Sequence, residues 1–414
     1  MIYLNEQKNR FEIGGIAAQD IVTNYGQPVY VYDSAIMEKQ YKRLKSAFKQ
    51  VPIHINYACK ALNNINVLRL FKSFGAGLDT VSIEEVKLGL HAGFEAQEIL
   101  FTPNCVSMSE MMEACALGVK INIDNISILE QFGHQYADTI PVCIRINPHV
   151  LAGGNINIST GHIDSKFGIS IHQLRHVERI VKSTGIRISG LHMHTGSDIL
   201  NIDSFLQAAD ILLETAMQFP NLSFIDFGSG FKVPYKPEDY ETDIEELGIR
   251  LGERFAQFCQ EYGRTLELHF EPGKYLVSQA GTFLVNVNVL KQTTATVFVG
   301  VNAGLNHLIR PMLYNSYHHI YNISNTSGPE RIYTIVGYIC ETDTFAWDRK
   351  LREVKEGDIL AFQNAGAYGF TMASNYNSRL RPAEVLVHKG EAHLIREAER
   401  LEDLLRLQKE INLG

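Results

Sequence analysis

The chain has no run of lysines and arginines, no hydrophobic stretch long enough to cross a bilayer and no paired-cysteine motif. The first absence, with a formal charge of -8 over 414 residues, argues against nucleic acid or an anionic membrane surface as the main partner. The second excludes a spanning helix. Residues 1–15 carry no apolar segment of the signal-peptide kind. The six cysteines are scattered, with no CxxC pair and no His/Cys spacing that would hold zinc, so no metal site is expected. They read as reduced thiols, and the expected compartment is the cytoplasm. A full G-x-G-x-x-G fingerprint is missing, and so are internal repeats and low-complexity segments. What is present, 45% hydrophobic and 20% charged residues, is the composition of a globular protein large enough for two cores.

Strand-like and helix-like runs alternate from residue 51 onward. Val51, Ile53, Ile55 and Tyr57 recur with the period of a β-strand. Similar runs lie at 76–81, 98–101, 119–123, 140–146, 187–193, 222–226 and 265–270, with helical patterns between them. Ser82 with Glu85, and Ser107 with Glu110, fit the S-x-x-E signature of a helix start. Gly75, Gly93 and Gly118 stand where helices should stop. About eight strands over roughly 220 residues is the rhythm of a (β/α)8 barrel of the TIM type; an open doubly wound sheet is the alternative. Two long connections, 147–170 with Gly153, Gly154 and Gly161, and 228–240 with Pro234 and Pro237, are where binding loops are built. The rhythm changes after about residue 275. Runs at 282–289, 293–301, 331–337, 358–362 and 384–387 read as strands without helices, followed by a charged helix at about 395–410. The reading is therefore α/β plus all-β: a barrel over 28–275, and a β-sandwich or β-barrel domain made of 276–414 with the leader 1–27.

In a barrel the chemistry sits where the strands end. Lys60 follows the first strand, among Tyr57, Ala58, Cys59, Ala61 and Leu62. A lysine held in apolar surroundings loses solvation, its pKa falls, and the neutral amine can form a Schiff base with an aldehyde such as pyridoxal phosphate. A surface lysine is the ordinary alternative. Asp79, Asn104, Asp124 and Arg145 stand at later strand ends. His194 and Ser197 offer a flat ring and a hydroxyl, with His192 competing for the ring's role. Gly228-Ser229-Gly230 can bring backbone N–H groups close to a phosphate, although a plain turn would use the same residues. Glu271, before Pro272, Gly273 and Lys274, can hold a pyridine nitrogen protonated. In the β region, Cys340 stands beside Glu341 and Asp343, which should raise its thiol pKa and suit it to donating a proton. Tyr368 lies in Gly366-Ala367-Tyr368-Gly369, and Arg310 precedes Tyr314 by four residues, a pair suited to a carboxylate.

In this order the motifs resemble the fold-type III pyridoxal-phosphate decarboxylases, the group that acts on ornithine, arginine and diaminopimelate. The resemblance runs from Tyr57-Ala58-Cys59-Lys60-Ala61 to Arg381-Pro382-Ala383-Glu384-Val385-Leu386-Val387. It is greatest to the diaminopimelate branch, through Leu308-Ile309-Arg310-Pro311-Met312-Leu313-Tyr314, Cys340-Glu341-Thr342-Asp343 and Met372-Ala373-Ser374-Asn375-Tyr376-Asn377-Ser378-Arg379. It implies a cofactor-binding barrel, a C-terminal β domain and a homodimer with shared sites. It also implies decarboxylation of meso-2,6-diaminoheptanedioate to L-lysine and CO2. Lys60 would carry the cofactor, His194 would stack on its ring and Glu271 would face its nitrogen. Arg145 would lie near the ring hydroxyl, and Ser197, Gly228, Ser229, Gly230, Gly273, Lys274 and Tyr368 would complete the cofactor site. Cys340 would return the proton from the second subunit. Lys274, Arg310, Tyr314, Glu341 and Tyr368 would meet the substrate. Ornithine, arginine or carboxynorspermidine decarboxylation, or a non-catalytic homologue, are the alternatives. The family usually has arginine where Lys274 stands and a glycine triplet where Gly-Ser-Gly stands; Thr195 and Asp198 also depart from its common residues.

Overall fold

The computed structural model describes residues 1–150 and 165–413. Two compact units emerge: Met1–Met37, Tyr235–Asp239 and Val277–Gly414 form one, and Glu38–Pro234 with Tyr240–Leu276 the other. The second contains eight parallel strands, β1 (Ile53–Ala58), β2 (Gly77–Thr80), β3 (Ile99–Phe101), β4 (Lys120–Ile123), β5 (Val142–Asn147), β6 (Ile188–His192), β7 (Phe224–Asp226) and β8 (Glu267–Phe270). They pair in sequence order, β8 pairs with β1, and β4 pairs with β5. Neither edge is left open, so the sheet is a closed barrel and the doubly wound alternative fails.

The barrel strands are short, and β2, β3, β5 and β7 are buried throughout, as strands covered on both faces must be. Helices fill the connections, among them Ile65–Ser73, Ile83–Ala92, Met108–Ala116, Ile202–Ala216 and Ile244–Tyr262. Ser82 and Ser107 cap two of them, accepting from the amides of Glu85 and Glu110. Gly93 ends one in the left-handed region. Aromatic packing ties helix to barrel, with Phe71 stacked on Tyr57 at a centroid distance of 4.0 Å and edge-on to Phe74. Most of the 147–170 connection, residues 151–164, lies outside the described residues.

The first unit is built on sheets. Its strand order is Thr344–Arg352, Glu330–Val336, Val297–Val301, Gly281–Gln292, Val29–Asp33, Ala383–His388, Glu391–Arg396, with Ile359–Phe362 joining Gly281–Gln292 and Ile320–Asn322. The leader forms its own small sheet, Ile2–Asn5, Arg10–Ile13 and Ile16–Ala17. Its Ile2, Phe11 and Ile13 share a core with Val29, Val31, Leu284, Ala361 and Val385.

Two sequence-based expectations change here. A barrel beginning at residue 28 would include Val29–Asp33, yet that strand pairs with Gly281–Gln292 and Ala383–His388. All five of its residues are buried, because it is flanked on both edges. The charged helix expected at 395–410 is mostly absent. Glu391–Arg396 is an edge strand against Ala383–His388, and only Leu401–Leu405 is helical.

Truncation of Phe71 to alanine removes both its aromatic neighbours from contact. It should cost about 3–5 kcal/mol of stability, read as a lowered denaturant midpoint with an unchanged slope.

Candidate active site

Lys60 sits in a single helical turn, Cys59–Ala61, directly after β1. Its amine lies 3.6 Å from Asp79 at the end of β2, and its side chain is 44% exposed while that of Asp79 is 1% exposed. The apolar surroundings expected from sequence are therefore only half present: the local chain is apolar, but a buried carboxylate from the next strand faces the amine. Burial pushes Asp79 up to about 6, with Glu271 adding to the rise and Lys60 opposing it. At neutral pH Asp79 is an anion, and Lys60 has a fixed counter-charge.

Glu271, just past β8, is a buried acid of the rim. Its Oε2 lies 3.0 Å from His192 Nε2 and its Oε1 accepts from Thr102 Oγ1 at 3.4 Å. Burial raises its pKa, while Lys60 and Arg145 hold it down. Burial, helped by Arg145, pushes His192 well below the usual range, so the imidazole is neutral and presents an N–H to Glu271. His192 is thus a partner of Glu271 rather than a competitor for ring stacking. Arg145, at the end of β5, is buried and lies over the Phe167 ring, 4.8 Å from its centroid. Burial lowers its pKa against the pull of Glu271, Asp124, Asp79 and Asp226.

His194 follows β6. Burial and the cations Arg145 and Lys60 push its pKa well below the usual range. Its Nδ1 accepts from the Ser229 amide at 3.2 Å, so the proton of the neutral ring is on Nε2. The loop after β7 explains its own glycines. Gly228 has φ 61°, and a Cβ there would lie 2.6 Å from the Met193 carbonyl. Gly230 has φ 112°, and its Cβ would lie 2.2 Å from the Gly196 carbonyl. Ser229, between them, is not among the positive-φ residues, so a side chain is tolerated at the middle position alone. Gly273 packs on the turn that carries Lys60: its Cβ would meet those of Ala61 and Ala58 at 2.9 and 3.1 Å.

Ser197 shares the loop after β6 with Asp198, a non-glycine residue at φ 60°. Asp198 accepts from the Lys274 amine at 2.6 Å, and both side chains are largely covered. Lys274 is therefore one half of an ion pair and not a bare cation.

The other expected residues lie in the β unit. Arg310 and Tyr314 are the two ends of a one-turn helix. The buried Arg310 guanidinium lies 5.9 Å from the Tyr368 ring centroid. Tyr368 has φ 55° on the tight turn expected for it. Cys340 and Glu341 are exposed. Cys340 Sγ meets the Asn377 side chain at 3.3 Å, and Glu341 accepts from the Tyr376 hydroxyl at 2.5 Å. Asp343 accepts instead from the amides of Leu305 and Ile339. Neither acid beside Cys340 is hydrogen-bonded to it, contrary to the environment expected from their adjacency.

Residues 34–278 match the family described as "Pyridoxal-dependent decarboxylase, pyridoxal binding domain". The chain is 39% identical over 411 residues to the diaminopimelate decarboxylase of Methanothermobacter thermautotrophicus, covering 97% of this chain and 96% of that one. The chain belongs to the diaminopimelate decarboxylase family. The Helicobacter pylori diaminopimelate decarboxylase structure complexed with L-lysine is 30% identical with a TM-score of 0.87, covering 94% of this chain and 98% of that one. The M. jannaschii diaminopimelate decarboxylase in co-complex with L-lysine gives 0.88 at 30% identity, covering 98% and 96%. Lys274, which the resemblance marked as a departure, is matched here by Asp198. Sequence reading passed over Asp226, Thr102 and the Asp198–Lys274 pairing. Asp226 carried a usable signal, as an acid ending an apolar strand; the other two meet their partners only across strands.

Replacing Asp198 by alanine strands a covered lysine. It should destabilise the protein by about 1–3 kcal/mol, and a double-mutant cycle with Lys274→Ala should recover part of that cost. Asp79 makes a prediction of known sign. Its folded pKa of about 6 lies above its ordinary value of 3.8, so ionising it costs stability as pH rises through that window. Asp79→Asn should therefore be more stable than wild type at neutral pH, by about 2–3 kcal/mol, and the gap should close as the pH falls towards the ordinary carboxylate range.

Proposed function

We propose that this chain holds pyridoxal phosphate at the rim of its barrel and decarboxylates meso-2,6-diaminoheptanedioate to L-lysine and CO2. The observation that carries the reading is the convergence of Lys60, Glu271, His194 and the Gly228–Gly230 turn on one end of the barrel. These residues suit the group: an amine, a buried carboxylate with two donors, a neutral flat ring, and a turn kept bare of side chains where a phosphate needs backbone N–H groups. When bound, the cofactor supplies an electron sink for the charge left when CO2 departs.

The chain's own groups then divide the labour. Lys60 would hold the cofactor through its amine. Glu271, oriented by His192 and Thr102, would face its pyridine nitrogen. His194, neutral, would cover its ring without adding a cation beside Arg145. Arg145 would serve the ring hydroxyl, and Ser197, Ser229, Gly273, Lys274 and Tyr368 would complete the cofactor's surroundings. Cys340 returns a proton to the α-carbon. The substrate's distal carboxylate meets Arg310 and Tyr314, with Glu341 towards its ammonium. Because Asp198 already balances Lys274, Arg310 carries more of that clamp than the sequence implies. An ornithine-like basic end would be repelled there.

Cys340 and Glu341 are exposed in one chain, which supports a homodimer in which a second copy supplies them. All six cysteines are free, which supports a reducing cytoplasm. Among the described residues no helix is long and apolar enough to cross a membrane.

Lys60→Ala should abolish the visible absorbance of the bound cofactor; a reconstituted wild type without that absorbance would sink the assignment. Cys340→Ala should lower kcat by roughly 10²–10⁴ with KM little changed. In a substrate panel, CO2 release should be fast from meso-diaminopimelate and slow from lysine and ornithine.

A further inference from the structure

We propose that Asp226 carries a proton at neutral pH and donates it as a hydrogen bond to Glu271, acting as a positioning residue that keeps Glu271 an anion. The functional meaning rests on Glu271 facing the pyridine nitrogen; the location of the proton does not.

Asp226, at the end of β7, and Glu271, after β8, are both buried. One oxygen of each and one nitrogen of His192 lie within 4.8 Å of one another. Two buried carboxylates at that separation cannot both be ionised. Donor accounting then says which one holds the proton. Glu271 has two side-chain neighbours able to donate, Thr102 Oγ1 and His192 Nε2. Asp226 Oδ1 accepts from the Gly228 amide at 2.8 Å; among the described residues Asp226 Oδ2 is buried without a hydrogen-bond partner, and the Asn56 side chain is the other donor that faces the carboxyl. A bare anionic oxygen in that position is costly. A hydroxyl there, turned towards Glu271, removes both the bare oxygen and the like-charge contact.

The surroundings agree. Asn56 on β1 and Asp79 on β2 face Asp226, as do Cys143 and Arg145 on β5. His192 on β6 completes the shell. Burial, then Glu271, then Asp79 drive the Asp226 pKa well above the usual carboxylate range, and the Gly228 amide and Asn56 only oppose it. Glu271 is also raised, but Lys60 and Arg145 favour its charged form.

The test is isotope-edited infrared spectroscopy of the holoenzyme at neutral pH. A carbonyl band of a buried, protonated carboxylic acid should shift with carbon-13 in aspartate side chains, stay fixed with carbon-13 in glutamate, and vanish in Asp226→Asn. Absence of any such band with the aspartate label, or an aspartate-labelled band that survives Asp226→Asn, overturns the proposal; a glutamate-labelled band belongs to Glu85, which burial raises to about 7. These readouts hold whether or not Glu271 serves the cofactor, so failure of the functional reading would leave them intact. The pH profile of kcat adds a sign. Asp226→Asn keeps a donor and should leave the acid limb in place. Asp226→Ala removes it and should move that limb to higher pH by on the order of one unit. A limb that moves to lower pH in both variants would mean that Asp226 is an anion, and would overturn the proposal.

Discussion

A parallel sheet that closes on itself sends the C-terminal end of every strand to one rim. Here that geometry concentrates Asp79, Asp124, Arg145, His192, Asp226 and Glu271 in a space from which water is largely excluded. The burden falls on charge. Each carboxylate brought to the rim must be met by a cation, by donors or by a proton, because in a low dielectric an unmet charge is costly. The details of the site follow from how each acid is met. Asp79 is met by Lys60, Glu271 by His192 and Thr102, and Asp226 by the Gly228 amide and a proton of its own.

The same constraint sets the histidines. Protonating His192 or His194 would add a cation to a rim that already holds Arg145 and Lys60, and burial removes the solvation that would offset it. Both rings stay neutral, and their hydrogen bonds then fix which nitrogen carries the proton. His192 gives its Nε2 proton to Glu271, while His194 receives the Ser229 amide at Nδ1. Two histidines two residues apart thus take different tasks, one directed at a carboxylate and the other at the glycine turn.

Much of this was legible in the amino acids because it is local. The alternation at 53, 55 and 57 places Lys60 at a strand end, and S-x-x-E places the starts of two helices. Polar residues after each apolar run locate the rim. What was not legible depends on contacts across strands. Nothing near Lys60 in sequence announces Asp79, nineteen residues on and one strand over. Asp198 and Lys274 are each visible in the sequence, but not as partners until the barrel sets one beside the other. At 340–343 adjacency misled, because Glu341 and Asp343 turn to Tyr376 and to backbone amides. A barrel drawn from residue 28 takes in Val29–Asp33, yet that strand pairs with strands some 250 and 355 residues later.

The glycine turn and the lysine after it show two kinds of demand on a residue. Gly228 and Gly230 answer to backbone conformation and to carbonyls within van der Waals reach, so a side chain has no room at either position. The residue between them carries neither demand, and serine stands there. Lys274 answers to charge balance instead. A lysine in place of arginine loses the planar fork, but it gains a single short contact with Asp198, whose own left-handed backbone aims its carboxylate at the amine. The two positions therefore answer to each other. With Lys274 balanced in this way, the cation of the β unit that is left for a carboxylate is Arg310, buried beside Tyr368.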